Sequence, residues 1–214
     1  MKEIKKILSA TLILTLISAA GFTMIEPSVS EAQTASDTVV ITLNVTTGIS
    51  ITAPADSSMS TALGVAQDTA VGTTTWNVKT NNAAGYTLAL RASTSPAMQA
   101  TTTGNTIPDY GTATTTTWNV TSGNSAFGYS VFGTGVSTGA WGTGSTCASG
   151  GAHIPSTTLK YKGFTTSDFT VMTRTSTTTT TGIDTTVCYA VEQDTFYIPS
   201  GTYQATITAT ATAS

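Results

Sequence analysis

Residues 202–213 read TYQATITATATA, and their side chains alternate in character almost without a break. Tyr203, Ala205, Ile207, Ala209 and Ala211 share one parity, while Thr202, Gln204, Thr206, Thr208 and Thr210 share the other. Successive side chains of a β-strand point to opposite faces, so this pattern predicts a strand with one dry and one wet face. The stretch TVVITLNV at 38–45 repeats the pattern, with Val39, Ile41, Leu43 and Val45 on one parity.

Between these two stretches, further strands are expected near Gly48–Ala53, Thr73–Thr80, Tyr86–Ala92, Thr116–Thr121, Phe127–Phe132, Thr158–Lys162, Phe169–Thr173 and Thr186–Glu192. Clusters of Gly, Asn, Pro and Asp separate them, and no helical periodicity follows the first residues. About ten short strands punctuated in this way predict an all-β fold, an antiparallel β-sandwich that is Ig-like or jelly-roll-like.

Threonine supports the same conclusion. It supplies 48 of the 182 residues after Ala32, and its branched Cβ loses freedom in a helix but fits a pleated surface. Those hydroxyls also wet a surface that has few charges. From Gln33 onward five basic residues stand against eight acidic ones, with no basic stripe, so nucleic acid is not an expected partner.

The chain opens MKEIKKILSATLILTLISAAGF, with Lys2, Lys5 and Lys6 ahead of an apolar run from Ile7 to about Phe22. This is the layout of a secretory signal, expected to occupy residues 1–32 with cleavage before Gln33 after Ser30 and Ala32. An earlier cut near Ser18 and Ala20, or an uncleaved anchor, is the alternative. No later run reaches the ~20 apolar residues that span a bilayer, so no membrane span is expected after signal removal. Residues 33–214 should form a single sandwich domain, since this length suffices for one core.

TTTWNVKTNNAAGYTLAL, which holds Trp76 and Tyr86, and TTTTWNVTSGNSAFGYSVF, which holds Trp118 and Tyr129, look like two copies of one hairpin. Asn81-Asn82 and Gly123-Asn124 would supply turn residues that tolerate positive φ. The expected core is Trp76, Val78, Tyr86, Leu88, Leu90, Trp118, Val120, Tyr203 and Ile207.

Residues 133–156 carry seven Gly between positions 133 and 151 and do not alternate. They are expected to form a long Gly/Ser/Thr-rich loop containing Trp141, Cys147 and the sole histidine, His153. Cys147 and Cys188 are the only cysteines, and in an exported chain an even pair implies one disulfide. Two Cys and one His do not make a usual zinc site, so neither metal nor cofactor is expected.

Catalysis finds little support. Gly135-Val136-Ser137-Thr138-Gly139 matches Gly-x-Ser-x-Gly, but the strand-to-helix context of a nucleophile elbow is missing. The acids are scattered, which disfavours a glycosidase. Asn44-Val45-Thr46 and Asn119-Val120-Thr121 match the glycosylation sequon by chance within expected strands. Trp141 and His153 mark a possible ligand-contact loop, where Trp141 either stacks on a sugar or folds back as a plug.

GISITAPADSSM, TTTWNVKTNNAAGYTLALRASTSPAM, AFGYSVFG and PSGTYQATITATA together resemble uncharacterised secreted surface proteins of very small host-attached bacteria. More distantly the chain is similar to WxL-type surface domains and to fibre-forming β-sandwich subunits. The resemblance implies a surface location and a sandwich, and no residue role. A Trp-x-Leu motif, an aromatic-ended C-terminal β-signal and a Leu-Pro-x-Thr-Gly signal are all missing.

The expected function is therefore a noncatalytic, secreted or cell-surface structural or adhesive protein. Its partners would be cell-surface components or copies of itself. A filament subunit is the alternative, with residues 33–46 as an exchangeable N-terminal strand whose Val39, Ile41, Leu43 and Val45 fill a neighbour's groove. A carbohydrate-binding module that takes polysaccharide is a second alternative.

Overall fold

The apolar stripes of the sequence become strands where a second strand can cover them, and the computed structural model describes this for residues 35–111 and 113–214. The leader assigned to residues 1–32 lies outside the described residues. The chain divides into one unit that ends at Asn44 and a second that runs from Val45 to Ser214.

Among the described residues the second unit holds twelve strands and a single helical turn. In chain order they are β1 (Ile49–Thr52), β2 (Thr69–Thr80), β3 (Tyr86–Ala92), β4 (Met98–Ala100), β5 (Thr106–Ile107), β6 (Thr116–Thr117) and β7 (Ser125–Gly133). Then follow α1 (Thr138–Trp141), β8 (Lys160–Tyr161), β9 (Phe169–Arg174), β10 (Ile183–Gln193), β11 (Tyr203–Gln204) and β12 (Ile207–Ala213). Every named ladder is antiparallel, so the sandwich-like all-β class is as expected.

A four-stranded sheet has the order β1-β2-β10-β7, two three-stranded sheets have the orders β12-β3-β9 and β11-β4-β5, and β6 pairs with β8 in a fourth. Val78 of β2, Val131 of β7 and Val187 and Val191 of β10 meet Tyr86, Leu88 and Leu90 of β3 and Val171 and Met172 of β9 in one core. Tyr86, Leu88, Val78, Val131 and Val187 are completely buried there, each contributing about 1.5–3 kcal/mol by its removal from water.

The first sheet is covered over part of its other face as well. Cys188 and Ala190 of β10, with Ala126 of β7, turn away from the first core and pack under Tyr110, Leu159 and Tyr161. Along β10 the parity alternates between the two cores, which is why its run Val187–Val191 carries no Thr or charge. Burial pushes the Tyr161 phenol up to about 12, so it is neutral when it donates towards the Cys147 carbonyl.

Several expectations need correction. The two WNV stretches are not hairpins: β2 and β3 belong to different sheets, β6 pairs with β8, and β7 pairs with β10. Each turn therefore carries the chain to a strand of a different sheet, and after the first turn β3 covers the core from the side opposite β2. In the first turn the positive φ falls on Gly85, at 81°, not on Asn81 or Asn82. Asn82 instead accepts from the Ala84 N–H and donates to the Ser214 carbonyl, using its side chain to shape the turn.

The strand expected over Thr116–Thr121 ends at Thr117, because Trp118 leaves the ladder to stack on Tyr110 with 4.5 Å between ring centroids. The 202–213 stretch is divided at Ala205 and Thr206 into β11 and β12. Of the expected core, Val78, Tyr86, Leu88 and Leu90 are buried, while Trp76, Trp118, Val120, Tyr203 and Ile207 are half-buried. The segment 133–156 packs against the body through Trp141 and Cys147.

Candidate functional site

The residues singled out by sequence occupy three separate places. The first is the bridge: Cys147 and Cys188 are joined, with 5.2 Å between their Cα atoms. Cys188 is wholly buried at the middle of β10, so the bridge fastens the glycine-rich segment to the central strand of the first sheet.

The second place holds Trp141 and His153, which make different contacts. Trp141 is 2% exposed and packs between Tyr129, at 5.4 Å, and Phe169, at 6.2 Å. A sugar-stacking platform needs an exposed ring face, so Trp141 is a plug and the platform role is corrected. Contrary to the expectation that strand and helix are both missing around Gly135–Gly139, Ser137 stands between β7 and the single turn α1, which its side chain caps by accepting from the Ala140 N–H.

His153 meets a different serine. Its Nδ1 lies 2.9 Å from Ser60 Oγ, and the same Oγ accepts the Val71 N–H at 3.1 Å. With one lone pair of Ser60 engaged by Val71, the hydroxyl proton is available to His153, and the pair ties the 149–154 turn to the chain that runs beside β2. Beside it a cleft of about 470 Å³ is lined by Gln67, Asp68, Trp118, Ile154, Pro155 and Glu192 among others. The Trp118 indole N–H donates to Glu192, and the Glu192 carboxyl is held above the usual carboxylate range by burial, opposed by that bond and assisted by Asp194 and Asp68. Sequence reading had placed Trp118 in the core and Glu192 at a strand end. Nothing local signalled that the two would meet, since they are 74 residues apart.

The third place is the segment Val39–Val45. Residues 35–48 carry no strand, so the expected strand is not formed. Val39, Ile41, Leu43 and Val45 are 75–88% exposed, although their alternation is that of a strand. Asn44 and Asn119 of the two sequons are also exposed and outside any strand, contrary to the expectation that both sit within strands.

A further feature escaped the sequence reading. β12 is the terminal strand of its sheet and has a ladder on one side only, to β3. Its inward residues Ile207, Ala209 and Ala211 pack on the core while remaining partly exposed, and its Thr residues face outward.

Comparison with family models, with characterised proteins and with solved structures finds no match to this chain.

Proposed function

We propose that the protein is a noncatalytic extracellular surface or matrix protein whose sandwich has a structural or adhesive role. The observation that carries this reading is how the ionisable side chains are engaged. Asp109 accepts from the Ala97 N–H and the Ser95 hydroxyl, Asp184 from Asn77, Asp194 from the Gly123 N–H and Glu192 from Trp118. His153 is held on Ser60. Each of these groups fastens a turn or a strand to its neighbour, which is the work of a scaffold. The Cys147–Cys188 bridge agrees with an oxidising compartment.

Antibody labelling of intact cells with gold tests the location, and surface label is the expected result. Label confined to the cytoplasm, with both thiols reduced, would overturn the reading. Incubation with a fluorophosphonate tests the Ser60–His153 pair: covalent labelling of Ser60 would contradict the noncatalytic assignment.

A second reading, a filament subunit, is favoured by the exposed alternating residues Val39, Ile41, Leu43 and Val45. A water-soluble chain seldom leaves so many apolar side chains in succession uncovered.

A further inference from the structure

We infer that β12 is the acceptor edge for residues 39–45 of a second copy of this chain, which would add as a strand to the sheet β12-β3-β9. The inference rests on the filament reading and assigns its two mating surfaces.

The backbone of β12 defines the edge. Towards β3, the Ser93 N–H donates to Thr206 O at 3.0 Å and the Ser214 N–H donates to Gly85 O at 3.1 Å. In an antiparallel ladder, residues alternate between bonding towards one neighbour and bonding towards the other. The register from Ile207↔Ala92 to Ala213↔Tyr86 has no shift, so the even-numbered residues bond towards β3. Ile207, Ala209, Ala211 and Ala213 therefore turn their N–H and C=O groups to the open side. Among the described residues no ladder occupies that side.

Proteins usually blunt such an edge with Lys, Pro, a bulge or a very short strand. ITATATA has none of the first two, no register shift, and seven residues. The edge is thus left able to pair.

The segment at 39–45 complements it in length, chemistry and parity. It too has seven residues and neither charge nor proline. Its large apolar side chains, 75–88% exposed, alternate with Val40, Thr42 and Asn44. Laid beside β12, Val39, Ile41, Leu43 and Val45 would continue the inward stripe Ile207, Ala209, Ala211, where alanines leave space for larger neighbours. Thr42 and Asn44 would extend the outward threonine face. β1 from the facing sheet comes close to β12, and its Ile49 is 37% exposed, so a strand added at β12 has apolar surface to cover. A strand that joins an edge in this way gains affinity from backbone hydrogen bonds and register from alternate side chains.

The test uses the full, oxidised chain and two kinds of variant, followed by light scattering after size exclusion and by negative-stain microscopy over a range of concentrations. Ala211→Pro removes an N–H from the open side, a position where proline is tolerated in edge strands. Ile41→Asp places a charge in the donor stripe at a residue that is 88% exposed, so folding is unaffected. The native chain is expected to form concentration-dependent polymers, and each variant alone to be monomeric. Mixing the two should give dimers and nothing longer, because the mixture contains one intact donor and one intact acceptor per pair. Thr42→Asp, on the outward parity, should still polymerise. Ala209→Pro, a second substitution of an open-side N–H, serves as acceptor variant if Ala211→Pro loses its circular dichroism signal.

Polymers from Ala211→Pro or Ala209→Pro would overturn the acceptor edge and leave the filament reading standing. Polymers from Ile41→Asp, or a mixture that yields no dimer, would overturn the donor segment. A native chain that is monomeric at every concentration would remove the inference and the filament reading together, while surface location would stand on its own test.

Discussion

Ser130 of β7 and Cys188 of β10 face each other as direct ladder partners, and both are completely buried. The cysteine is satisfied by its bridge, but the Ser130 hydroxyl has no hydrogen-bond partner among the described residues. A buried, unpaired hydroxyl costs about 1–3 kcal/mol relative to a satisfied one. Ser130→Ala should therefore raise stability, by ~1 kcal/mol. Urea unfolding of the oxidised protein checks this, and a destabilised variant would show that the hydroxyl has a partner.

The bridge itself closes a sequence separation of 41 residues. On the chain-entropy account this constrains the unfolded state by about 4 kcal/mol, an upper figure in practice. The double substitution Cys147→Ala with Cys188→Ala should lower the urea midpoint clearly below that of the oxidised protein. Thiol labelling of the denatured, unreduced native chain should find no free sulfhydryl.

Leu88 tests the parity of the central strand in the second sheet. It is completely buried on β3, so Leu88→Ala should destabilise by about 2–5 kcal/mol. Thermal or urea denaturation measures it, and a loss near zero would place Leu88 on the wrong face.

Glu192 gives a pH-dependent prediction. Its carboxyl is harder to ionise in the folded chain than in the unfolded one, chiefly because it is buried. A raised folded value contributes stability below the unfolded value, and that contribution is lost as pH rises through the folded value. At neutral pH the ionised group is thus a burden. Glu192→Gln keeps an oxygen to accept the Trp118 N–H and removes the charge, so it should stabilise at neutral pH. The gain should shrink once the pH falls below the ordinary carboxylate range. A constant difference at both pH values would rule out this account.

Much of the fold was legible because the strongest signals were local. Alternation marked Tyr86–Ala92 and the run through Val187, and the even cysteine pair marked the bridge. What escaped was the choice of partner. The turns after Val78 and Val120 look like hairpin turns, yet β3 finds its ladders with β9 and β12 and β7 finds its ladder with β10, all distant in sequence. Met98–Ala100 and Thr106–Ile107 are too short to display a period. Tyr203 and Ile207 obey the dry parity yet are half-buried, because each lies on the outer strand of its own sheet, β11 and β12 respectively. For the candidate site, Val39–Val45 was visible as a stripe, whereas the open side of β12 depends on which distant strands pair with which, and no local stretch of sequence records that.

The position of β10 sets the order in which this protein can mature. Residues 183–193 must lie between β2, made more than a hundred residues earlier, and β7, roughly at the slow, non-local end of folding behaviour, milliseconds to seconds. Until Gln193 has emerged, β2 and β7 have no strand to join them and neither apolar cluster can close. A chain caught at that stage displays two uncovered faces, a hazard for aggregation that calls for protection during synthesis or transit. Nascent chains stopped before Ile183 should accordingly be degraded by protease throughout, and chains extended past Gln193 should become resistant as a single step.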